Sequence, residues 1–182
     1  MTGVIRKFAA FGALALLAAC GTSRDGGDDL QKQLAQNNAY FAGEYACAKA
    51  DAVTVQLGEI EKHPEKYADR CLRIDAFSDG SKLYSGGLEM QHDQRSAAVI
   101  PRVGVVWKNP DMERHLRVGP SFVTVVGRMR DCAQRLAMQQ KGEDIRARIA
   151  GTAPASVTGH GDCRHAHTVF VSDAQVVPTA MD

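Results

Sequence analysis

The sequence has few aromatic residues and no strong charge of either sign. Its 182 residues include one Trp, 4 Tyr and 6 Phe, and 22 basic side chains are matched by 21 acidic ones for a formal net charge of +1. A nearly neutral chain has no general electrostatic attraction to nucleic acid, for which a basic patch is the first sign. We therefore expect no nucleic-acid partner.

Motifs of several common enzyme classes are also missing. The chain has no Gly-x-Ser-x-Gly nucleophile elbow, no glycine-rich phosphate loop and no His-Glu-x-x-His helix. Their absence gives serine-based catalysis no support and favours a non-catalytic binding protein over an enzyme.

The N-terminus has the organisation of an export signal. A basic head containing Arg6 and Lys7 precedes an apolar run over residues 8–18, which is shorter than the roughly 20 residues needed to span a membrane. We expect residues 1–19 to be removed as a signal peptide. Residues 20–182 then have the length of one domain.

The end of this run, Leu17-Ala18-Ala19-Cys20, resembles the lipobox of bacterial lipoproteins. The resemblance implies a diacylglyceryl group on the Cys20 thiol, further acylation of its amine by a chain such as palmitate, and a protein held on the membrane by lipid alone. Gly21, where lipoproteins retained in the inner membrane carry Asp, implies an outer-membrane protein facing the periplasm. Residues 20–29 are polar and glycine-rich, which predicts a flexible tether.

Lipidation of Cys20 leaves four of the five cysteines. The periplasm is oxidising, so we expect two disulfides. Four cysteines permit three pairings, and the organisation of the chain favours Cys47 with Cys71 and Cys132 with Cys163. The first pair would fix an N-terminal helical segment (30–69) to the first strand, and the second would join the ends of a polar excursion (133–162).

Helices and strands are indicated by the spacing of apolar residues. Alternation from Cys71 onwards predicts a strand with one exposed face, and Gly127 predicts a bulge or bend in a later strand. Asn109-Pro110 predicts a helix start, and Gly142 predicts a break in a helix-compatible, polar stretch. The other strands are predicted at 82–84, 97–107, 122–130 and 168–177.

Five strands with accessory helices predict a mostly β member of the α+β class, a small, partly open OB-like barrel over residues 70–182. Residues 57–77 also resemble the entry to periplasmic OB-type domains, in which a turn like Pro64-Glu65-Lys66-Tyr67 leads into the first barrel strand. A different small barrel or sandwich would give a similar pattern.

Two groups of side chains are candidate sites. Arginines on the exposed strand faces, together with two aromatic residues suited to stacking, could form a groove for an anionic glycan, a phospholipid head group or an envelope protein. These residues are Arg73, Tyr84, Arg102, Trp107, Arg128 and Arg130. Interleaved acidic residues support the alternative of ordinary solvated faces.

The second group is the histidine-rich segment, whose spacing could supply ligands to zinc or copper. Its members are His160, Cys163, His165 and His167. A disulfide at Cys163 would remove its thiolate from such a site, and it would also remove the weaker alternative of Cys163 as a nucleophile. The sequence thus favours a lipid-anchored binding or envelope-assembly module that uses no cofactor, with a metal-binding protein or metal-dependent enzyme as the alternative.

Overall fold

A computed structural model describes residues 24–96, 102–157, 163 and 165–178. Five α-helices and six strands lie in these ranges, and Pro64–Lys66 forms a 3-10 turn with proline at its start, as predicted. In chain order they are α1 (Arg24–Ala42), β1 (Val53–Thr54), α2 (Leu57–Lys62), β2 (Cys71–Ser78), β3 (Leu83–Tyr84), α3 (Gly87–Arg95), β4 (Val103–Trp107), α4 (Pro110–Val118), β5 (Ser121–Asp131), α5 (Cys132–Ala150) and β6 (His167–Val176).

The strands form one mixed sheet. Strand β2 pairs antiparallel with β5, β5 antiparallel with β6, and β6 parallel with β4, while β1 lies parallel to β2 on its other edge. Strand β3 pairs with the end of β2. Just before β3, Lys82 bridges to Gly104, and the Val105 amide donates to the Ser81 carbonyl at 3.0 Å. The segment at 81–84 therefore contacts both β2 and β4.

The α+β class is confirmed, but the expectation of a mostly β chain with five strands is wrong. Helices contain more of the described residues than strands do, and β1 is a sixth strand. Strand β1 has only two residues, both exposed, so no run of alternating residues marks it in the sequence.

The predicted alternation in β2 is confirmed. Leu72, Ile74 and Ala76 are fully buried, whereas Arg73 and Asp75 are exposed. Side chains from β4, β5 and β6 complete this core, together with Leu116 of α4 and Ile60 of α2.

Two glycines have the close contacts that require them. Gly80, in the turn before β3, has a φ of +88°, and a Cβ there would lie 2.7 Å from the Glu113 carbonyl oxygen. At Gly127 a Cβ would lie 2.5 Å from the Phe170 carbonyl oxygen. The register between β5 and β6 shifts between Val126 and Gly127, which confirms the predicted irregularity.

The predicted start of α4 is also confirmed. The Asn109 side chain accepts a hydrogen bond from the Asp111 amide at 3.0 Å, and Pro110 occupies the first helical turn. Residues 97–101, which include the start of the predicted strand 97–107, lie outside the described residues.

The bounds of helices α1 and α5 differ from those predicted. Helix α1 begins at Arg24, inside the predicted tether, and α5 runs unbroken through Gly142 to Ala150, where the sequence predicted an interruption. A Cβ at Gly142 would lie 2.5 Å from the Asn37 side-chain oxygen, so this glycine permits close packing of the two helices. In the part of the chain described, no helix is long and apolar enough to cross a membrane.

Both predicted disulfides are present. Cys47 is bonded to Cys71 and Cys132 to Cys163, with Cα–Cα distances of 5.5 and 5.7 Å. The second bond joins the first residue of α5 to the chain just before β6.

We expect the double substitution Cys132→Ala and Cys163→Ala to lower the free energy of unfolding by about 3 kcal/mol, because the bond closes a long loop in the unfolded chain. Urea unfolding followed by circular dichroism measures this. The Cys47–Cys71 bond serves as an internal control, since it must stay unreactive to alkylation in the folded variant. A decrease in the free energy of unfolding of less than about 1 kcal/mol would contradict the expectation that this disulfide stabilises the fold.

Candidate functional site

The structure does not bring the four predicted arginines into one groove. Arg73 is exposed on the outer face of β2, while Arg102 lies among carboxylates from α2 and α3. Arg128 and Arg130 contact the chain around the end of α1. Arg102 shares no described partner with the other two, so it does not lie in one groove with them.

Arg128 and Arg130 join the sheet to the chain after α1. Arg128 donates hydrogen bonds to the carbonyl oxygens of Gly43 and Asp69 at 2.9 and 2.6 Å. Arg130 forms an ion pair with the Asp69 carboxylate, donates to the Tyr40 carbonyl at 2.8 Å and lies 4.0 Å from the Tyr40 ring centroid. These guanidinium groups are occupied by contacts within the protein.

A buried ion pair joins α5 to the chain just after α1. The Arg135 guanidinium donates to both Glu44 carboxylate oxygens, at 2.7 and 3.2 Å, and lies 4.9 Å from the Phe170 ring centroid. Glu44 is 4% exposed and Arg135 9%. Sequence reasoning missed this pair, since an arginine in a polar helix has no local mark that distinguishes a buried role from a solvated one.

A second buried cluster surrounds Arg102. Its side chain, 7% exposed, forms ion pairs with Glu89 and, at 3.4 Å, with Glu61. Asp93 lies 3.7 Å away and also pairs with Lys82 at 2.8 Å. The cluster connects α2 and α3 to the segment before β3, so its arrangement explains how these short helices are held on the sheet.

Tyr84 and Trp107, the two residues predicted to stack a ligand, are buried instead. Tyr84 is 1% exposed, and its hydroxyl donates to Asp79 at 3.0 Å. Trp107 is 7% exposed, and its indole nitrogen donates to the Gly80 carbonyl at 2.6 Å. Both rings belong to the core, and their polar atoms fix the turn at 79–81.

The environment changes the acidity of several groups in the Arg102 cluster. The hydrogen bond from Lys82 is the main reason that the pKa of Asp93 is lowered. Burial opposes ionisation of Asp79, but hydrogen bonds from Ser81 and Lys82 outweigh it and lower the pKa of Asp79. Burial raises the pKa of Glu61 despite the attraction of Arg102. Burial and the charges of Asp79 and Asp93 raise the pKa of Tyr84, which keeps its hydroxyl a donor.

The histidine-rich segment has no free thiolate at Cys163. Cys163 is bonded to Cys132, so it cannot act as a metal ligand or a nucleophile. His165 precedes β6 and His167 begins it, whereas His160 lies outside the described residues. Within 24–96, 102–157, 163 and 165–178, no three His, Cys, Asp or Glu residues are grouped to hold a metal ion.

Several clefts open on the sheet among the described residues. One, which we call the Gly104 cleft, has a volume of about 90 Å³ and combines hydroxyl, imidazole, aliphatic and charged groups. A larger one, which we call the Trp107 cleft, has a volume of about 210 Å³ and lies at the carboxyl end of β4, beside residues 171–174 of β6. A third, of about 70 Å³, is lined by Arg73, Lys49 and Asp173 among others. Lining the Gly104 cleft are Ser81, Gly104, Val105, Val106, Glu113, Arg117, His165 and Thr168.

Gly104 allows His165 to lie against β4. A Cβ at position 104 would be 2.5 Å from the His165 Cδ2 atom, so any other residue would displace the imidazole. Across the cleft, Arg117 is paired with Glu113 at 2.6 Å. The cleft is therefore polar without a large net charge. Of its lining residues, only His165 was a candidate from the sequence.

Comparison with known proteins identifies no relative: no protein-family model, curated protein or solved structure matches this chain.

We expect Asp93→Asn to lower the free energy of unfolding at pH 7 by about 2 kcal/mol, because Lys82 and Arg102 lose a buried partner. A lowered pKa stabilises the folded state above the unfolded-state pKa of about 3.9, and this contribution is lost as the pH falls through the folded-state pKa. The difference between wild type and variant should therefore shrink in acid. Urea unfolding at pH 7 and at about pH 3 measures both effects.

Glu143→Gln is the matched control, since Glu143 pairs with Arg146 on the surface of α5. We expect it to cost less than about 0.5 kcal/mol. Equal effects of the two substitutions would contradict a special role for the Arg102 cluster.

Proposed function

We propose that this protein is a lipid-anchored, non-catalytic binding module of the bacterial envelope, built on an OB-type barrel. The ligand we favour is a hydroxyl-rich envelope component such as a cell-wall oligosaccharide, bound in the Gly104 cleft. The anchor is the lipid on Cys20, as the resemblance to a lipobox implies. The membrane is the outer membrane, as Gly21 after this cysteine implies.

The strand pairings support the barrel type. Starting at β2, contacts pass through β3, the Lys82–Gly104 bridge, β4, β6 and β5, and return to β2. Helix α4 lies between β4 and β5, which are the third and fourth of these five strands in chain order. A five-stranded, partly open barrel of OB type would have such a circuit, with β1 as an addition to its edge.

The position of the Gly104 cleft carries the functional proposal. OB barrels bind ligands on the face of their second and third strands, between the loop joining strands 1 and 2 and the loop joining strands 4 and 5. In this chain the corresponding elements are β3, β4, the turn at 79–82 and the connection at 132–166. The cleft takes Ser81 from the first connection, Gly104 and Val106 from β4, and His165 from the second.

The chemistry of the lining favours an uncharged, polar ligand. The Ser81 hydroxyl, which donates to Asp79 at 2.8 Å, and the imidazole of His165 give the lining its polar character, while Thr168 is 1% exposed and Glu113 offsets the charge of Arg117. A nucleic acid would need unpaired cations along its backbone, and the described cleft offers none.

Cys20→Ala tests the anchor. We expect wild type to incorporate an alkyne analogue of palmitate and to fractionate with the outer membrane, because acyl chains make release from the bilayer negligible. The variant should incorporate no label. Gel fluorescence after density-gradient fractionation measures both, and Cys20→Ser repeats the thiol loss with a polar residue. Labelling that persists without Cys20 would contradict the assignment.

His165→Ala tests the cleft. We expect wild-type residues 21–182 to sediment with isolated peptidoglycan sacculi and the variant to bind about fivefold more weakly, the effect of losing about one hydrogen bond. Lys108→Ala, in the Trp107 cleft, is the control and should bind as wild type does. Sedimentation of none of the proteins, or equal binding by all three, would remove the oligosaccharide proposal.

A further inference from the structure

Helices α1 and α5, which we call the helix pair, run antiparallel. The Asn37 side chain donates to the Met138 carbonyl at 2.6 Å, and seven residues later Glu44 pairs with Arg135. As the chain runs forward from Asn37 to Glu44, the partner in α5 changes from Met138 back to Arg135. The chain after α5 returns along it, since the Gln140 side chain bonds to the backbone of Ala155 and Val157.

The described contacts join the helix pair to the sheet at one end. They comprise the Cys132–Cys163 bond, the stacking of Arg135 near Phe170 and the Arg130 contacts to Tyr40. Beyond Arg135, the described hydrogen bonds and ion pairs of α5 are to α1, to 151–157 or within α5 itself. The other end holds the start of α1 and the end of α5.

The length of the chain limits how far the candidate lipid site can lie from that second end. Cys20 precedes Arg24 by four positions, a separation of at most about 14 Å even for a fully extended chain. From Arg24 to Ala42, α1 rises about 27 Å. A lipid on Cys20 would therefore lie close to the start of α1, with the length of the helix between it and the sheet.

The strands lead away from the place where the helix pair joins the sheet. Strand β5 ends at Asp131, next to α5, and begins at Ser121, which pairs with Ser78 at the opposite end of β2. Val118 lies just before this start, and Leu88 follows Gly87, where a Cβ would lie 3.6 Å from the Phe77 ring. Val118 and Leu88 are 91% and 83% exposed, and they mark the end of the sheet furthest from the helix pair.

The surface of the helix pair does not suit a helix lying flat on a bilayer. Interfacial helices bury an apolar face, whereas α1 exposes polar residues such as Asp28, Asp29 and Lys32. Ile149, 39% exposed, is the one exposed large apolar residue on the described part of the pair. It lies beside Arg148 at the end nearest the lipid site.

We infer that the helix pair is a rigid spacer that holds the barrel away from the bilayer, with the Leu88 and Val118 end outermost. This inference rests on the proposed lipid anchor and adds a direction to it. It assigns the ligand to the periplasmic space, because the barrel stands beyond the reach of lipid head groups.

Collisional quenching tests the spacer. The full, lipidated chain is placed in phosphatidylethanolamine–phosphatidylglycerol vesicles that carry a nitroxide on the lipid head group. A fluorophore is attached through a noncanonical amino acid at Ala150, Leu88 or Val118, so the disulfides stay untouched. We expect the label at Ala150 to be quenched at least about fivefold more than the other two, because about 27 Å of helix separates them.

The outcomes separate the anchor from the spacer. If the chain stays on the vesicles but labels at Leu88 or Val118 are quenched as strongly as the label at Ala150, the barrel lies on the bilayer and the spacer alone is overturned. If the chain does not stay on the vesicles and behaves like Cys20→Ala, the anchor and the spacer both fall.

Discussion

Strand β6 pairs antiparallel with β5 along one edge and parallel with β4 along the other, and most of the structure depends on this double pairing. It brings β4 into the sheet although α4 separates β4 from β5 in the chain. It also sets the position of the connection before β6, which contains both Cys163 and His165. The disulfide to α5 and the lining of the Gly104 cleft are thus consequences of where one strand begins.

The helix pair is fixed to the sheet by contacts of two buried arginines, Arg130 and Arg135. A buried ion pair adds little net stability compared with apolar residues, but removal of one partner is costly because the other charge stays buried without compensation. Glu44 with Arg135 follows this rule, whereas Asp69, which pairs with Arg130 nearby, has a side chain that is 45% exposed. Such contacts have demanding geometry, so they favour one orientation of the helices over others. The orientation matters more than the energy if the helices separate a membrane anchor from a binding surface.

The parts of the fold that follow from local sequence were predictable. The alternation of apolar and polar residues predicted β2, and the Asn109-Pro110 pair predicted the start of α4. The positions of the cysteines in the chain predicted both disulfides. Features set by distant partners were not. Gly142 has the local character of a helix breaker, yet it is required by the approach of Asn37, about a hundred residues earlier.

The contacts of the candidate arginines were not predictable for the same reason, and these contacts bear on the proposed function. A sequence shows that a strand carries cations, but the partners of Arg102 and Arg130 come from helices and loops far away in the chain. Once these charges are engaged internally, they are unavailable to an anionic ligand. A ligand bound as proposed in the Gly104 cleft would meet hydroxyl, imidazole and backbone groups, whose hydrogen bonds are directional and depend little on ionic strength. The cleft itself has little net charge because Arg117 is paired with Glu113, and this pairing is the reason that the proposed ligand is an uncharged one.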